Sequence, residues 1–342
     1  MYNMNFIDEK HKRYVLNPIQ HANLWALFKQ QQSVMWTTEE IDFSQDHSDW
    51  KRMDKATKHF ILNIIAFFAG SDMLIVDNLM DNFMSEVTVA ECKCFYTLQA
   101  FIETIHSETY SQMLHEFSKL EVFETLKQNL DLTEQKKHNQ FIDNLMNGIK
   151  AIPSIKGKAD WATEYMDQSK PFNERLWAFT IFEGVLFSAS FCSIYWLRKK
   201  NLCHGLTYSN ELIARDEGLH AKFGVEMFNM LGASKPSQER VHKILDDAVQ
   251  LELRFVDEAL PERLEGINAD TMKQYVKYCA NHLLSMIQYD ELYQGVTNPY
   301  DWMNMISIDS KSNFFEKRVA EYKLASVGNT QEDMEFTEDA AF

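Results

Sequence analysis

The stretches Glu103-Thr-Ile-His106 and Glu217-Gly-Leu-His220 each place a glutamate and a histidine three positions apart in a segment with helical periodicity. On an α-helix, residues at i and i+3 project from one face within about one turn, so each pair can bind one metal ion. Carboxylate oxygens with a few imidazoles favour iron or manganese over metals that prefer thiolates. The two pairs therefore predict a carboxylate-bridged dimetal site in a four-helix bundle.

Two further acids, Asp72 and Glu183, stand alone in the long apolar segments 60–76 and 177–197. Both segments are apolar nearly all round, which predicts helices buried on every side. An isolated carboxylate in such a helix is strongly unfavourable unless a cation compensates it. We therefore expect six metal ligands: Asp72, Glu103, His106, Glu183, Glu217 and His220.

Two simpler interpretations compete with this one. The segment 177–197 has about the length of a membrane span and precedes Arg198-Lys-Lys, but Glu183 inside it argues against a transmembrane helix. The pair Glu239-Arg-Val-His242 shows that Glu-x-x-His also occurs by chance. It follows Pro236 among charged residues, which predicts a solvated first turn of a helix.

The composition predicts an all-α protein. Eleven glycines and six prolines are few for 342 residues, so strands and hairpins are not expected. We predict one domain over residues 1–322 and a flexible acidic tail over 323–342. Pro153 and Lys156-Gly-Lys158 predict a crossover between two helix pairs. Helices are expected near 17–32, 52–83, 86–118, 121–148, 172–200, 207–231, 237–260 and 268–290.

The net charge of −16 argues against nucleic acid as a partner. No secretion or lipidation signal is recognisable, so we expect a cytoplasmic protein that does not bind membranes. The five cysteines match no zinc or disulfide spacing and are expected to be reduced thiols.

Tyr110 lies four residues after His106 and seven after Glu103, which places all three on nearly one helical face. A phenol about one turn from the metal ions is an oxidisable group beside an oxidant, although core packing explains many such tyrosines. Asp216 points about 100° away from Glu217. It is expected to accept a hydrogen bond from the second ring nitrogen of a ligating histidine.

Apolar residues at helical spacing from the proposed ligands are expected to exclude water from the site, although any core stripe has the same spacing. They are Phe187, Phe191 and Ile213.

From Trp36 to the C-terminus the chain resembles the small, radical-generating subunit of class I ribonucleotide reductase. Its motifs resemble most those of the eukaryotic and viral branch. The matching motifs are Trp36-Thr-Thr-Glu-Glu-Ile-Asp42, Phe67-Phe-Ala-Gly-Ser-Asp72, Glu103-Thr-Ile-His-Ser-Glu-Thr-Tyr110, Glu183-Gly-Val-Leu-Phe187, Ser209-Asn-Glu-Leu-Ile-Ala-Arg-Asp-Glu-Gly-Leu-His220, Asn313-Phe-Phe-Glu-Lys-Arg318 and Phe336-Thr-Glu-Asp-Ala-Ala-Phe342.

The resemblance implies a ferritin-like bundle in a ribonucleoside-diphosphate reductase. Asp72, Glu103 and His106 would hold one metal ion, and Glu183, Glu217 and His220 the other. Two iron ions per chain are implied, with manganese as the alternative and molecular oxygen as activator.

By the same resemblance, Tyr110 would be oxidised to a stable radical, and Trp36 and Asp216 would begin its transfer with His106. Tyr322 would relay the radical across the subunit boundary. The tail, through Phe336 and Phe342, would dock on the large catalytic subunit, where ribonucleotides are reduced, and the small subunit would be a homodimer.

Glu338 and Ala341 depart from the usual eukaryotic tail, a difference that bears on the choice of partner. Three other functions are compatible with a helical bundle: a dimetal oxidase or hydroxylase with its own substrate, a ferritin-like metal store, and a purely structural protein. Asp72, Trp36 and the acidic Phe-ended tail favour the reductase over the oxidase, and the buried acids argue against the structural protein.

Overall fold

The computed structural model describes residues 4–125, 134–150, 152–260, 263–300 and 302–303. Within these ranges the chain is helical, and the only bridge of β type is an isolated one between Leu264 and Ile267. This confirms the predicted all-α class. The principal helices are α1 (Ala22–Ser33), α2 (Asp46–Arg52), α3 (Lys55–Asn78), α4 (Ala90–Thr125), α5 (Glu134–Lys150), α6 (Pro153–Met166), α7 (Phe172–Gly184), α8 (Ser188–Lys199), α9 (His204–Met230), α10 (Gln238–Ala259) and α11 (Ala269–Met286).

Four helices carry the proposed metal ligands. Asp72 lies on α3, the first Glu-x-x-His pair on α4, Glu183 on α7 and the second pair on α9. The most extensive helix contacts are those of α3 with α4 and of α7 with α9, and α4 also contacts α9. The four helices therefore enclose the ligands as a bundle, while α1, α10 and α11 cover its outside.

The predicted helix over 172–200 is wrong in one respect, because residues 185–187 interrupt it. Val185 has φ −129° and ψ −45°, and its N–H still reaches Ile181. Ser188 then begins α8. The sequence is apolar on both sides of the break, so its periodicity gives no sign of the interruption.

The break predicted at Pro153 and 156–158 is wrong as well, since these residues belong to helix α6, although the segment does lie between the helix pairs α3/α4 and α7/α9. Proline is favoured at the first position of a helix, where its missing N–H has no intrahelical partner. The first part of the helix predicted at 121–148 also differs, because α4 continues to Thr125 and α5 begins at Glu134. After α3 the helical path continues through a π-helical turn, Leu79–Phe83, to Glu86.

Two helical segments, Lys55–Glu86 and Phe172–Lys199, are long and apolar enough to cross a membrane by length and composition alone. The most apolar window of the second is 89% buried inside the protein, and that of the first 61%. Core helices of soluble proteins meet the same criterion, so this is weak support for the transmembrane alternative.

Candidate metal centre

The two Glu-x-x-His pairs face each other across α4 and α9. His220 Nδ1 lies 3.0 Å from Oε1 of Glu103 and 3.1 Å from Oε2 of Glu217. His106 Nδ1 lies 3.3 Å from Oε2 of Glu103 and 3.1 Å from Oε1 of Glu217. Each glutamate therefore approaches both imidazoles, as a carboxylate that bridges two metal ions must do.

The single acid on α7 joins this cluster. One ligand atom from each of Glu103, Glu183, Glu217 and His220 lies within 4.8 Å of the others, and all four residues are buried. Gln99, one turn before Glu103 on α4, donates a hydrogen bond of 2.9 Å to Oε1 of Glu183. This bond orients the carboxyl group and leaves Oε2 of Glu183 without a partner among the described residues.

Asp72 lies outside that group of four but belongs to the same electrostatic cluster. Its side chain is buried, and its carboxyl group interacts with Glu103, His106 and Glu217. Burial first, and then the charge of Glu103, raise the pKa of Asp72 well above the ordinary value. The structure thus brings all six predicted ligands into one buried region.

Several polar atoms of these residues are buried without a hydrogen-bond partner in the part of the chain that is described. Buried polar groups are nearly always paired, so a cluster of unpaired ones needs an explanation. They are Oδ2 of Asp72, Oε2 of Glu183 and Nε2 of His220.

The charges of the cluster point to cations. Burial, followed by Glu217 and Glu103, raises the pKa of Glu183 well above its usual range. The pKa of Glu217 is lowered instead: burial opposes the shift, but hydrogen bonds from His106 and His220 outweigh it. When all four carboxylates are ionised, they carry four negative charges in one buried space, which two divalent cations would neutralise.

Tyr110 is buried beside the cluster. Its ring stacks on Phe68 with centroids 4.6 Å apart and an interplanar angle of 4°. Its hydroxyl has no hydrogen-bond partner among the described residues. Burial, and after it the carboxyl group of Asp72, raise the pKa of Tyr110 well above the ordinary value, so the phenol stays protonated.

The predicted apolar wall lies around this tyrosine. Phe187 and Phe191 place their ring centroids 5.4 Å and 4.9 Å from that of Phe68, and Ile213 is buried on α9. A cavity of about 160 Å³ begins at Glu183 and Glu217 and continues between α8, α9 and α11 past Tyr195 and His282. It is partly open and has room for small molecules next to the carboxylates.

On the opposite side of His106, Asp216 links the imidazole to Trp36. Oδ2 of Asp216 lies 3.3 Å from Nε2 of His106 and accepts a hydrogen bond of 2.7 Å from the indole Nε1 of Trp36. Gln31 and Arg215 donate to Oδ1. Burial opposes ionisation, but Arg215 and His106 outweigh it and lower the pKa of Asp216 to about 2.

Sequence reasoning missed Gln99, Gln31 and Arg215. Each is polar within an otherwise apolar helical face near a predicted site residue, which is the signal that could have found them.

The third Glu-x-x-His pair, Glu239 and His242, lies away from the site, as predicted. Glu239 is exposed, and His242 donates from Nε2 to the carbonyl of Asp290, 2.9 Å away. Tyr322, Phe336, Phe342 and the whole predicted tail lie outside the described residues.

Comparison with known proteins agrees with this site. The family model described as "Ribonucleotide reductase, small chain" matches residues 13–299. The ribonucleoside-diphosphate reductase small chain of Spisula solidissima is 44% identical over 335 residues, covering 97% of this chain and 82% of that protein. The small chain of vaccinia virus (strain Ankara) is 42% identical over 330 residues, covering 96% and 97% of the two chains.

A solved structure shows a similar fold. The Rnr4 homodimer of Saccharomyces cerevisiae superposes with a TM-score of 0.72 at 28% identity, and the match covers 93% of this chain and 92% of that one.

Proposed function

The chain belongs to the ribonucleotide reductase small-chain family, and from this premise we propose which of its residues perform the family's chemistry. The match over residues 13–299 and the relatives at 42–44% identity confirm the resemblance seen in the sequence. Members of this family carry a dimetal site that generates a radical, and they work with a large subunit that reduces ribonucleotides. Membership of this family also argues against the three other functions considered from the sequence, which were an oxidase with its own substrate, a metal store and a purely structural bundle.

For the metal centre we propose that six residues hold two ions: Asp72, Glu103, His106, Glu183, Glu217 and His220. The observation that carries this assignment is a buried cluster of four carboxylates and two imidazoles in which Oδ2 of Asp72, Oε2 of Glu183 and Nε2 of His220 have no hydrogen-bond partner among the described residues. Bridging by these two glutamates is supported by the approach of each to both imidazoles. Iron is proposed as the metal, and manganese fits the same ligands.

When bound, the two ions supply the oxidising power by reacting with molecular oxygen. The cavity beside Glu183 and Glu217 supports a short path for a small apolar molecule to the carboxylates. Phe191 forms part of the wall of this cavity, and the ring of Phe187 beside it is buried.

Tyr110 is the proposed radical site. Oxidation of a phenol removes one electron and, at this raised pKa, one proton as well. The carboxylate of Asp72, which has the largest charge effect on the phenol, is the proposed acceptor of that proton. Because the hydroxyl has no partner and the ring is stacked on Phe68, the oxidised side chain is shielded from reductants.

Radical transfer is proposed to begin along His106, Asp216 and Trp36. The hydrogen bonds that share Oδ2 of Asp216 form a continuous polar connection from the metal centre to the indole. Tyr322 is the proposed relay at the subunit boundary, and the tail over 323–342 is the proposed docking segment for the large subunit. Both proposals rest on the resemblance and on the acidic, Phe-ended sequence of the tail.

We also propose a homodimer. Met73, Met80 and Phe101 are each about half exposed, at 50%, 53% and 51%. Met73 and Met80 stand seven residues apart on one helical segment, so they share a face. A second copy of the chain is the proposed cover for these side chains, and sedimentation of the protein as a monomer at micromolar concentration would contradict it.

The proposed compartment is the cytoplasm, supported by five cysteines that form no disulfide. Fractionation of the source cells tests it, since recovery from a secreted or membrane fraction would contradict it.

The decisive experiment for the function is metal analysis with electron paramagnetic resonance on protein purified from its own source. Two iron ions per chain together with a tyrosyl signal are the expected result. Two manganese ions per chain would identify manganese as the metal and would leave the assignment of the six ligands unchanged. Fewer than two transition-metal ions in active protein would contradict the dimetal assignment.

A further inference from the structure

Lys158 on α6 and Glu252 on α10 form an ion pair that the metal chemistry does not use. Their side chains are 2% and 0% exposed, and Nζ of Lys158 contacts Oε2 of Glu252 directly. Burying two charges is expensive, and replacing such a pair by apolar residues often leaves stability unchanged or raises it. The ion pair is therefore not expected to contribute much to the free energy of unfolding. Its contacts indicate another role.

Both partners bind the backbone at the interruption between α7 and α8. Nζ of Lys158 donates a hydrogen bond of 3.0 Å to the carbonyl of Leu186, and Oε1 of Glu252 accepts one of 3.2 Å from the N–H of Ala189. Ala189 is the second residue of α8, and the first N–H groups of a helix have no intrahelical partners. A carboxylate at this position also matches the helix dipole.

The ammonium group of Lys158 reaches the aromatic wall as well. Nζ lies 4.1 Å from the ring centroid of Phe67 and 3.9 Å from that of Phe255. The ring of Phe67 is 5.9 Å from that of Phe187, the last residue of the interruption. Phe187 in turn lies beside Phe68, on which Tyr110 stacks. The ion pair thus contacts the backbone of the interruption directly and reaches the side chain of Phe187 through the ring of Phe67.

Glu183 stands two residues before the interruption, at the end of α7. The direction of its carboxyl group depends on where the helix stops and how the chain turns afterwards. We propose that Lys158 and Glu252 are positioning residues that hold residues 185–187 in place and thereby aim the carboxylate of Glu183 at the metal centre. This inference rests on the proposed role of Glu183 as a metal ligand.

The test uses the full-length protein, stripped of metal and titrated with Mn²⁺ by calorimetry. The variant Lys158→Met/Glu252→Leu removes both backbone contacts without leaving a buried charge unpaired. One of the two Mn²⁺ ions should bind about tenfold more weakly, the lower end of the loss expected when a group that orients a ligand is removed. The affinity of the other ion should stay close to that of the parent protein.

A matched control is the pair of Arg13 and Glu91 at the start of α4. Glu91 is fully buried, contacts Arg13 and accepts a backbone hydrogen bond of 2.7 Å from Gln20. The variant Arg13→Met/Glu91→Leu removes the same chemistry away from the interruption, so it should leave both Mn²⁺ affinities unchanged whatever its effect on Tm. Glu252→Gln keeps an acceptor oxygen for Ala189 and should retain most of the parent's affinity.

Parent-level affinities for both ions in Lys158→Met/Glu252→Leu would overturn the proposal, and so would equal weakening of both ions with a fall in Tm. If that variant does not fold, Lys158→Met/Glu252→Gln decides: it removes the contact to Leu186 without leaving a buried charge unpaired and should weaken the same single ion, and unchanged affinities would overturn the proposal. A parent protein that binds fewer than two Mn²⁺ ions would remove the proposed metal site and this inference with it.

Discussion

The indole of Trp36 and the carboxylate of Asp216 are joined by a buried hydrogen bond of 2.7 Å between Nε1 and Oδ2. The two residues stand 180 positions apart in the sequence. The same oxygen also lies 3.3 Å from Nε2 of His106. A single carboxylate oxygen therefore connects the metal centre to a residue outside the bundle helices.

Breaking this connection should separate radical formation from radical use. We expect Trp36→Phe to keep two metal ions and the tyrosyl signal, because the lost hydrogen bond runs to Asp216 and not to a proposed ligand, and phenylalanine keeps an aromatic ring where the indole stacks on His106 with centroids 6.0 Å apart. Reductase activity with the large subunit should fall by at least about 100-fold, as after loss of a hydrogen bond to a charged group that the transfer step requires. Trp25→Phe, in a stacked pair with Phe28 on α1, is the control. Full activity of Trp36→Phe would show that the transfer does not use this bond.

The metal assignment is tested most sharply at Glu183. We expect Glu183→Ala to lose at least one of the two metal ions, because no described residue near it offers a replacement carboxylate on α7. Elemental analysis measures the loss. His242→Ala is the matched control, because it disrupts the solvated Glu-x-x-His pair and should leave the metal content at two. Retention of two ions by Glu183→Ala, or loss of one by His242→Ala, would show that the ligand assignment is wrong.

Tyr110→Phe should remove the radical and leave the protein otherwise intact. The hydroxyl has no described partner, so its deletion should change the free energy of unfolding by no more than about 1 kcal/mol. We expect two metal ions, no tyrosyl signal in electron paramagnetic resonance and no reductase activity. Tyr165→Phe, another buried tyrosine, should keep the signal. Full activity of Tyr110→Phe would assign the oxidant to the metal ions and leave Tyr110 a packing role.

Asp72→Asn should stabilise the metal-free protein and destabilise the loaded one. Burial and Glu103 raise the pKa of Asp72 in the folded state, so its ionised form opposes folding when no cation is bound. Below about pH 4 the carboxyl group is protonated in both states, and the variant should have no advantage. The advantage should begin as the pH rises above the unfolded pKa, grow up to the raised folded pKa and then level off. Tm measured from pH 4 to 8 with and without Mn²⁺ tests this, and a metal-free variant less stable than the parent at pH 8 would contradict it.

The sequence predicts which polar residues cluster in the bundle better than it predicts the path of the backbone around them. Ligand types and spacings are local properties, so Glu103 with His106 and Glu217 with His220 are recognisable without a structure. The break after Glu183 is not recognisable in this way, because a helix that is apolar on every side has no hydrophobic periodicity that an interruption would shift. Pro153 was misread for a related reason: the same residue that ends one helix can begin another.

Contacts between distant segments are the part that local patterns miss. Lys158 and Glu252 lie 94 positions apart, on helices that the sequence alone does not place side by side. Gln99 is different, because its position one turn before Glu103 in an apolar run marks it as a candidate for contact with the ligands. The burial of Lys158 and Glu252, on helices that also carry many exposed charged residues, becomes visible only when the tertiary packing is known.

The tail should dock the large subunit without contributing to the metal centre. Residues 328–342 contain five acids, no base and two phenylalanines, Phe336 and Phe342, which suit a segment whose rings bind a groove while its charges steer the encounter. We expect deletion of residues 330–342 to keep two metal ions and the tyrosyl signal but to abolish reduction when the large subunit is added, and a peptide of these residues should compete with the whole protein. Tyr322→Phe is the matched control for docking: it should bind the large subunit with the parent's affinity and still fail to transfer the radical. Undiminished turnover by the truncated protein would show that another surface provides the main contact.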